Sequence, residues 1–243
     1  MKVLCDHQTG YLPWLGLFHR ISLCDVYVSL DTVKYKKSSW DDRNKIKTPD
    51  SFKWLKVPTF KYGSEMLKDI KINHEIAWVN EHLKAIKYSY SGTKFFNYYY
   101  SKIKEILEKK HTFLMELNEE LLKFFLKELQ INVAFYKASN FSISGKGNEY
   151  LINLCKAFNA DVYVFGQMGK NYAIPELWKE NNIIIYHHSF RHPVYNQKFG
   201  EFRPYMAVID LLFNEGGSKG KEILMKNNIS RETMLKELQI VNS

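Results

Sequence analysis

Hydrophobic and polar positions at the start of the chain follow the order that predicts a strand, a loop, a helix and a second strand. An apolar lead at 1–4 precedes a polar and aromatic segment at 5–14. Apolar residues then recur at helical spacing as far as Cys24, and a second apolar run covers 26–30. In a parallel α/β unit, the loop after the first strand lies at the carboxyl edge of the sheet, where ligands bind. We therefore interpret 5–14 as one half of an active site.

The same order of elements returns near the other end of the chain. An apolar run at 161–166 predicts a buried strand, and a loop at 167–173 leads to a helix that starts with Pro175. A second apolar run at 183–186 is followed by the polar and aromatic segment 190–197. Right-handed crossovers place such loops on one edge of a shared sheet, so we expect the two halves of the site to meet there.

The middle of the chain has the period of helices. Apolar residues recur at helical spacing over 78–90, 95–107 and 113–129. Further short strands and helices are predicted at 54–59, 131–136, 149–158, 205–213 and 230–238. The pattern as a whole predicts an α/β fold, with a Rossmann-like mostly parallel sheet and a helical insertion at about 75–130, in a single domain over 1–243.

Size and composition are those of an ordinary globular protein: 243 residues, 45% hydrophobic and 25% charged. No stretch approaches the roughly 20 apolar residues that cross a bilayer. Asp6 and His7 interrupt the N-terminus before an apolar stretch long enough for a signal peptide. We therefore expect a cytoplasmic protein without a membrane span.

The chain is basic, with a formal net charge of +9, which favours acidic partners such as nucleotides, nucleotide sugars, RNA or an anionic membrane face. Much of the excess is lysine scattered through the predicted helices. One cluster follows the second predicted strand and surrounds two aromatic residues, Tyr35 and Trp40. Its basic members are Lys34, Lys36, Lys37, Arg43, Lys45 and Lys47. A site for a phosphate-bearing ligand and a solvated basic loop are equally good interpretations of this cluster.

Cysteine and histidine spacing argues against disulfides and metal. Cys5, Cys24 and Cys155 are odd in number and widely spaced, which indicates neither a disulfide framework nor a zinc knuckle. Cys5 would be a nucleophile if His7 lowered the pKa of its thiol, although core packing is the commoner fate of a free cysteine. Because tight ligand spacing is absent from the sequence, no metal site is predicted.

Several motifs resemble the WbqC-like protein family, and they occur in the family's order over nearly the whole chain. Two departures stand out, Thr9 where the family usually has Pro and Phe165 where Ser is frequent before Gly166. The second departure weakens any role for a hydroxyl in that loop. The matching segments are 7–8, 11–16, 25–27, 30–31, Trp40, 43–47, 54–55, 57–58, Trp78, His82, 160–161, Tyr163, Gly166, 192–193, Tyr195, Gln197, 210–214 and Gly216.

The resemblance implies a role in bacterial surface-glycan synthesis, including the O-antigen of lipopolysaccharide and capsule. It implies an acyl- or aminoacyltransferase, of the glycine-transfer type, that modifies an amino group of a nucleotide sugar. The implied acyl donor is a coenzyme A thioester, a carrier-protein thioester or an aminoacyl-tRNA. The expected partners are therefore a nucleotide-linked sugar and either tRNA or an acyl carrier protein.

Such a transfer needs a base for the amine proton and hydrogen-bond donors for the carbonyl oxyanion. His7 and His192 are the candidate bases, and Asp210 is the carboxylate that would orient His192 or a tyrosine. Each histidine could equally be structural, bonded to backbone. The predicted substrate-binding residues are Gln8, Tyr11, Trp14, Asp31, Tyr35, Trp40, Arg43, Asn44, Lys45, Tyr195, Gln197 and Asn214.

Within that set the chemistry divides by residue type. Gln8 and Gln197 would donate to an oxyanion or to sugar hydroxyls. Arg43 and Lys45 would hold a diphosphate, the arginine through forked hydrogen bonds. The aromatic members would stack on a base or a sugar ring, although packing is the commoner role for Tyr11 and Trp14.

Two other functional classes stay open. A non-catalytic module that binds RNA or a carrier protein would also explain the positive charge. An ATP-using ligase or nucleotidyltransferase would explain a histidine at a strand end near basic residues. The latter lacks a recognisable phosphate-binding motif, because 145–147 does not continue into the Gly-Lys-Ser/Thr spacing.

Overall fold

The computed structural model describes residues 1–36, 39–60 and 65–242, with the side chains of the last two left out. The strands in the described residues are β1 (Val3–His7), β2 (Val26–Ser29), β3 (Arg43–Lys47), β4 (Phe52–Lys56), β5 (Ala134–Lys137), β6 (Val162–Phe165) and β7 (Ile184–His187). The α-helices are α1 (Leu15–Ser22), α2 (Trp78–Tyr90), α3 (Phe96–Leu107), α4 (Leu114–Glu128), α5 (Asn148–Ala157), α6 (Pro175–Glu180), α7 (Val208–Glu215), α8 (Gly217–Met225) and α9 (Arg231–Asn242).

A parallel sheet forms the centre of the protein, and its described strands lie in the order β5-β2-β1-β6-β7. Each neighbouring pair is parallel. The chain winds outward from β1 through β2 to β5, then returns to the other side of β1 for β6 and β7. This order confirms the predicted Rossmann-like α/β fold and the shared edge for loops from both ends of the chain.

Both faces of the central strands β1, β2 and β6 are buried, apart from His7 at the end of β1, as expected for parallel strands covered by helices. Successive residues of β1 point to opposite faces, so Val3 and Cys5 join the larger core, which includes the apolar stripes of α1 to α4. Leu4 joins the smaller core, formed with α5 and α6 around Trp178. The helical middle of the chain, α2 to α4, lies between β2 and β5 in sequence, as predicted.

A separate antiparallel hairpin, β3–β4, was only half predicted. The sequence pattern indicates a strand near β4 but leaves β3 as part of a basic segment, because RNKIK contains no apolar run. The structure pairs Asn44 with Leu55 and buries both, together with Ile46, so one face of the hairpin is inward and the other outward. α8 was also missed, since Gly216 ends α7 with a φ of 78° and the next helix begins directly after it.

Among the described residues, no helix combines the length and the apolar character needed to span a bilayer.

Candidate active site

The central strands β1 and β6 separate towards the carboxyl edge of the sheet. Within the described strands, their register contains the pairs Val3↔Val162 and Leu4↔Tyr163 and then stops. By contrast, β1 pairs with β2 over four residues, and β6 pairs with β7 over four. The winding of the chain reverses between β1 and β6, which is where open α/β sheets bind their ligands. We name this place the β1–β6 crevice.

The side chain of Arg20, from α1, occupies the base of the crevice. Its Nη2 donates to the backbone oxygen of Asp6 at 2.8 Å, and its Nε donates to that of Val164 at 3.0 Å. The guanidinium thus satisfies backbone acceptors on both strands where they no longer pair with each other. A Cβ at Gly166 would lie 3.2 Å from Nη1, so this glycine leaves open a space beside the cation that a side chain would fill.

The carboxylate of Asp6 also lies at the base of the crevice, beside Arg20. Its Oδ1 accepts from the Tyr163 hydroxyl at 2.6 Å and lies 3.8 Å from Arg20 Nη2. Its Oδ2 is buried with no hydrogen-bond partner among the described residues. Burial raises the pKa of Asp6, against the lowering effects of Arg20 and Tyr163. A buried polar atom without a partner is costly, which favours a water or ligand group at this position.

Two further tyrosines are influenced by the same carboxylate. Burial and then the charge of Asp6 raise the pKa of Tyr150, at the start of α5. Burial and then Asp6 also raise the pKa of Tyr172, in the loop that follows β6. The charge of Asp6 therefore acts on one hydroxyl from α5 and on one from the loop after β6.

His7 is the last residue of β1, and its side chain is exposed at the carboxyl edge. Nδ1 lies 2.6 Å from the backbone oxygen of Gln8. Because a carbonyl oxygen only accepts, Nδ1 carries the hydrogen and Nε2 carries a lone pair. Neighbouring protein atoms desolvate the ring incompletely because it keeps exposed surface, and together with the charge of Arg20 they hold the pKa of His7 below its ordinary value. The imidazole is therefore neutral at pH 7 and can accept a proton at Nε2.

The neighbouring Gln8 offers an amide to a ligand. Its side chain is half-buried, and no described residue makes a hydrogen bond with that amide. An amide NH₂ beside a proton acceptor is the kind of pair that holds and activates a polar substrate. His7 and Gln8 are thus the predicted site residues that the structure leaves available at the crevice.

A buried network fixes the loop that follows His7. Thr9 Oγ1 lies 2.9 Å from Ser29 Oγ, which in turn donates to Glu119 Oε1 at 3.1 Å. Glu119 also pairs with Lys137 Nζ at 2.8 Å. A Pro at position 9 could not provide this hydroxyl, so the departure from the family pattern has a structural role. The network ties the loop to β2, α4 and β5.

Asp31, predicted to bind substrate, is buried and holds two strand ends together. Its carboxylate accepts from the backbone N–H of Ser139 at 2.8 Å and from the Ser139 hydroxyl at 2.5 Å. Ser139 follows β5, and Asp31 follows β2. The structure therefore gives Asp31 a positioning role at the carboxyl edge.

A second group of predicted site residues meets around Asp210, on α7. The carboxylate accepts from Tyr90 Oη at 2.9 Å, from Tyr195 Oη at 2.8 Å and from Gln197 Nε2 at 2.8 Å. Asn214 Nδ2 donates to the Asp210 backbone oxygen at 2.7 Å. Burial raises the pKa of Asp210, against the lowering effects of these hydrogen bonds. The structure brings together four residues of the predicted site, Asp210, Tyr195, Gln197 and Asn214. Asp210 and Tyr195 are buried, and their contacts fasten 190–205 to α7.

A cavity of about 310 Å³ borders this Asp210 cluster, lined by Lys47, Pro49 and 199–204. Another of about 240 Å³ lies beside His192. Neither is lined by residues of the β1–β6 crevice.

Both ring nitrogens of His192 are occupied. Nδ1 donates to the Pro193 backbone oxygen at 2.9 Å, and Nε2 accepts from the Tyr205 backbone N–H at 3.1 Å. No contact among the described residues joins His192 to His7 or to Asp210. This arrangement favours a structural role for His192 and leaves His7 as the better candidate base.

The aromatic residues of the first loop are packed inward. Tyr11 is buried, and its hydroxyl lies 2.9 Å from His82 Nδ1. Trp14 is half-buried against Phe190 and Tyr205, with centroid distances of 5.5 Å and 6.0 Å. These contacts support packing over substrate stacking at both positions.

Asn44 and Tyr35, predicted to bind substrate, also have internal partners. Asn44 Nδ2 donates to the backbone oxygen of Leu12 at 2.7 Å. Leu12 has a φ of 46°, an unfavourable conformation for a branched residue, so Asn44 holds a strained point of the first loop. Tyr35 Oη donates to Asp42 at 2.5 Å. Trp40, Arg43 and Lys45 lie on the outer side of the β3–β4 hairpin, and Lys37 lies outside the described residues.

The cysteines are buried. Burial and the adjacent Cys5 thiol raise the pKa of Cys24. Cys5 has no exposed surface, which favours core packing. Within the ranges that the structure describes, no three His, Cys, Asp or Glu side chains come together as a metal site would require.

Sequence reasoning missed Arg20, Asp6 and Tyr150. A signal for Arg20 was present, since it is a charged residue on a short helix whose other positions are mostly apolar. Asp6 gave a similar signal as an acid inside a buried strand.

Comparison with known proteins places the chain in a family. The model of the WbqC-like protein family matches residues 8–222. This chain belongs to the WbqC-like protein family. One relative, the uncharacterised protein Rv1507c of Mycobacterium tuberculosis (strain ATCC 25618 / H37Rv), is 30% identical over 220 residues, covering 89% of this chain and 95% of the relative. The matched range includes Gln8, Arg20 and Gly166.

Proposed function

We propose that this WbqC-like protein is a cytoplasmic acyl- or aminoacyltransferase that modifies an amino group of a nucleotide sugar in the synthesis of bacterial O-antigen or capsule. The observation that carries the proposal is the neutral His7, whose Nε2 is available to accept a proton at the β1–β6 crevice. The family resemblance supplies the class of substrate. The net charge of +9 is compatible with a nucleotide-linked one.

In the proposed reaction, the sugar amine attacks the carbonyl carbon of a thioester or an aminoacyl ester. A C–N bond forms while the C–S or C–O bond breaks. The proton lost by nitrogen passes to His7 Nε2 and then to the leaving thiolate or alkoxide, so the imidazole ends unchanged. The Gln8 amide, next to His7 in the chain, would donate to the carbonyl oxygen.

Arg20 supports this role through charge. Its guanidinium is one of the causes that lower the pKa of His7. A diphosphate held beside Arg20 would offset that charge and so raise the pKa of His7, while desolvation, the larger cause, would still act on it. Substrate binding would thus improve the base that acts on the substrate.

The structure favours this proposal over a ligase or nucleotidyltransferase. In dinucleotide-binding α/β folds, phosphate sits at the N-terminus of the first helix, behind a glycine-rich turn. Here the Trp14 ring covers that end of α1, as shown by a Cβ built on Gly16, which would lie 2.2 Å from the ring. The loop before it is long and contains a single glycine, Gly10.

The test is a transfer assay with a matched pair of histidine variants. UDP-glucosamine would be the acceptor, UDP-N-acetylglucosamine the blocked control, and acetyl-coenzyme A or glycyl-tRNA the donor. We expect His7→Gln to lower the rate by roughly 10²- to 10⁴-fold while leaving the affinity for UDP-glucosamine within a few-fold. His192→Gln should keep the wild-type rate constant once the protein is saturated.

Calorimetric titration of the same nucleotides would show whether the acceptor class is right. If neither UDP-glucosamine nor free UDP binds the wild-type protein, the nucleotide-sugar assignment fails. Full transfer activity in His7→Gln would instead reject His7 as the base and leave the substrate class standing.

A further inference from the structure

The outer side of the β3–β4 hairpin exposes three large aromatic residues in one row. Trp40, Phe52 and Trp54 are 55%, 41% and 40% exposed. The ring centroids of Trp40 and Trp54 lie 5.3 Å apart, and those of Phe52 and Trp54 lie 6.2 Å apart. Strand pairing places Lys45 directly opposite Trp54. We call this surface the hairpin face, and its members are Trp40, Arg43, Lys45, Phe52 and Trp54.

Two cations lie among these rings. Lys45 Nζ is 5.0 Å from the Phe52 centroid and 5.7 Å from that of Trp54. Arg43 Cζ is 4.6 Å from the Trp54 centroid. The ten residues of β3 and β4 include five Lys or Arg and no Asp or Glu. The hairpin face therefore combines flat apolar rings with positive charge.

The hairpin is fixed to the body of the protein and is not an isolated arm. Tyr11 N–H donates to Asp41 O at 3.2 Å, and Ala207 N–H donates to Lys45 O at 2.8 Å. On the inner side, Ile46 and Leu55 are buried in the larger core. The backbone that carries the outer rings is thus held in place before any ligand binds, which reduces the entropy lost on binding.

Exposed aromatic rings with interleaved cations match a ligand that has both flat rings and negative charge. Unpaired nucleic acid presents its bases for stacking and its phosphates for ion pairing, whereas a duplex hides its bases. Three adjacent rings serve two or three bases, too few for a protein that coats long single strands and suited to an unpaired RNA end or loop. The charge of +9 adds long-range attraction.

We propose that the hairpin face binds a short unpaired segment of RNA. Bases stack on Trp40 and Trp54, and the adjoining phosphates lie at Arg43 and Lys45. This inference is independent of the transfer reaction, because none of its residues belongs to the β1–β6 crevice. The proposed RNA contacts lie outside the place where the acceptor nucleotide sugar would react.

Fluorescence anisotropy of labelled oligonucleotides tests the proposal on the full chain. The probes are hexaadenylate RNA, its deoxy counterpart and a blunt-ended RNA duplex. We expect the RNA hexamer to bind more tightly than the duplex, and Trp40→Ala or Trp54→Ala to weaken its binding by roughly 5-fold to 150-fold. Lys45→Gln should reduce the slope of log affinity against log salt by about 0.7.

Two control variants show whether RNA binding depends on the hairpin face itself. One removes a positive charge elsewhere, and the other removes an exposed aromatic ring elsewhere. Lys53 lies on the same strand as Trp54 but alternates to the other side, and Tyr88 is an exposed ring on α2. Lys53→Gln and Tyr88→Ala should bind the RNA hexamer like the wild type. Far-UV circular dichroism and Trp54→Phe, which keeps a ring, guard against loss of folding.

The proposal is overturned if wild-type protein fails to bind the RNA hexamer in 50 mM salt, or if Trp40→Ala and Trp54→Ala bind it normally. Tighter binding of the deoxy hexamer would overturn the assignment to RNA. His7→Gln should retain full RNA affinity, so failure here leaves the proposed transfer reaction to its own test.

Discussion

The guanidinium of Arg20 donates to the backbone oxygen of Asp6 at 2.8 Å and lies 3.8 Å from the carboxylate of the same residue. One side chain therefore both replaces a missing strand-to-strand hydrogen bond and compensates a buried charge. Isolated buried charges are very costly, so each member of the pair needs the other. The open end of the sheet is stable because this pair lies beneath it.

Arg20→Met should lower the free energy of unfolding by about 3–5 kcal/mol, because it leaves the Asp6 carboxylate buried without a countercharge. Arg20→Lys should recover only part of the loss, since an ammonium cannot reach both backbone oxygens in the forked geometry. Urea denaturation measures both. Lys84→Met, at an exposed ion pair on α2, is the control and should show no measurable change. A loss below about 1 kcal/mol in Arg20→Met would contradict the assigned role.

Gly10→Ala should push the loop after β1 away from the segment that leads into the β3–β4 hairpin. A Cβ at this position would lie 2.5 Å from the backbone oxygen of Trp40, which cannot rotate away. We expect a loss of about 1–3 kcal/mol in unfolding free energy. Gly220→Ala is the matched control, because its nearest neighbour is the flexible Leu129 side chain at 3.3 Å and alanine favours the helix. Equal effects from the two substitutions would contradict the prediction.

Asp210→Asn should weaken the attachment of 190–205 to α7 more than it lowers the proposed transferase activity. An asparagine oxygen cannot accept from Tyr90, Tyr195 and Gln197 together, and its NH₂ group would face other donors. We expect a loss of about 1–3 kcal/mol and faster proteolysis within 190–205. Asp50→Asn, an exposed acid near the same cavity, should leave both unchanged. Wild-type stability combined with lost transferase activity would instead support the catalytic role first predicted for Asp210.

The buried pair of His19 and His188 should make stability depend on pH. His19 Nδ1 lies 2.8 Å from His188 Nε2, and His19 Nε2 donates to Ile229 O. Desolvation, followed by His19 and Arg20, lowers the pKa of His188 to about 3. The unfolded chain takes up this proton near pH 6.5 and the folded chain does not, so stability falls as the pH drops from about 7 towards 3.

His188→Asn removes this titrating group. The unfolding free energy of the variant should therefore fall by about 2 kcal/mol less than that of the wild type between pH 7 and pH 5. His82→Gln should also flatten the profile, because desolvation lowers the pKa of His82 to about 4. Denaturant titrations at several pH values supply the comparison. A parallel profile for wild type and His188→Asn would show that the pair does not control acid stability.

The sheet and the helices follow from the sequence where burial is simple. β1, β2 and β6 are mainly apolar because both of their faces are covered, whereas β7 is an apolar run at the sheet edge that is only half-buried. Helices α2 to α4 show the helical period because one stripe of each is covered. β3 escaped prediction because its inward residues, Asn44 and Ile46, give no apolar run. The strand depends on tertiary contacts, including the hydrogen bond from Asn44 to Leu12.

The sequence predicted where the site residues lie in the sheet, but it did not predict which groups they contact. Strand order placed His7 and Gln8 at the carboxyl edge correctly. The sequence could not show that Arg20 contacts β6, which comes about 140 residues later in the chain. Nor could it show that the nitrogens of His192 are both used by backbone groups. Such pairings depend on distances between elements, and residue types alone do not contain them.

The short register between β1 and β6 divides the sheet into two leaves. One leaf contains β5, β2 and β1, the other contains β6 and β7, and the described ladder between them has two residue pairs. A small rotation of one leaf against the other about the two-pair ladder would change the distance between His7 and Gly166. The longer hydrogen-bonded ladders inside each leaf would stay intact. The hydrogen bonds from Arg20 to the backbone oxygens of Asp6 and Val164 are therefore contacts that join the two leaves where the ladder ends.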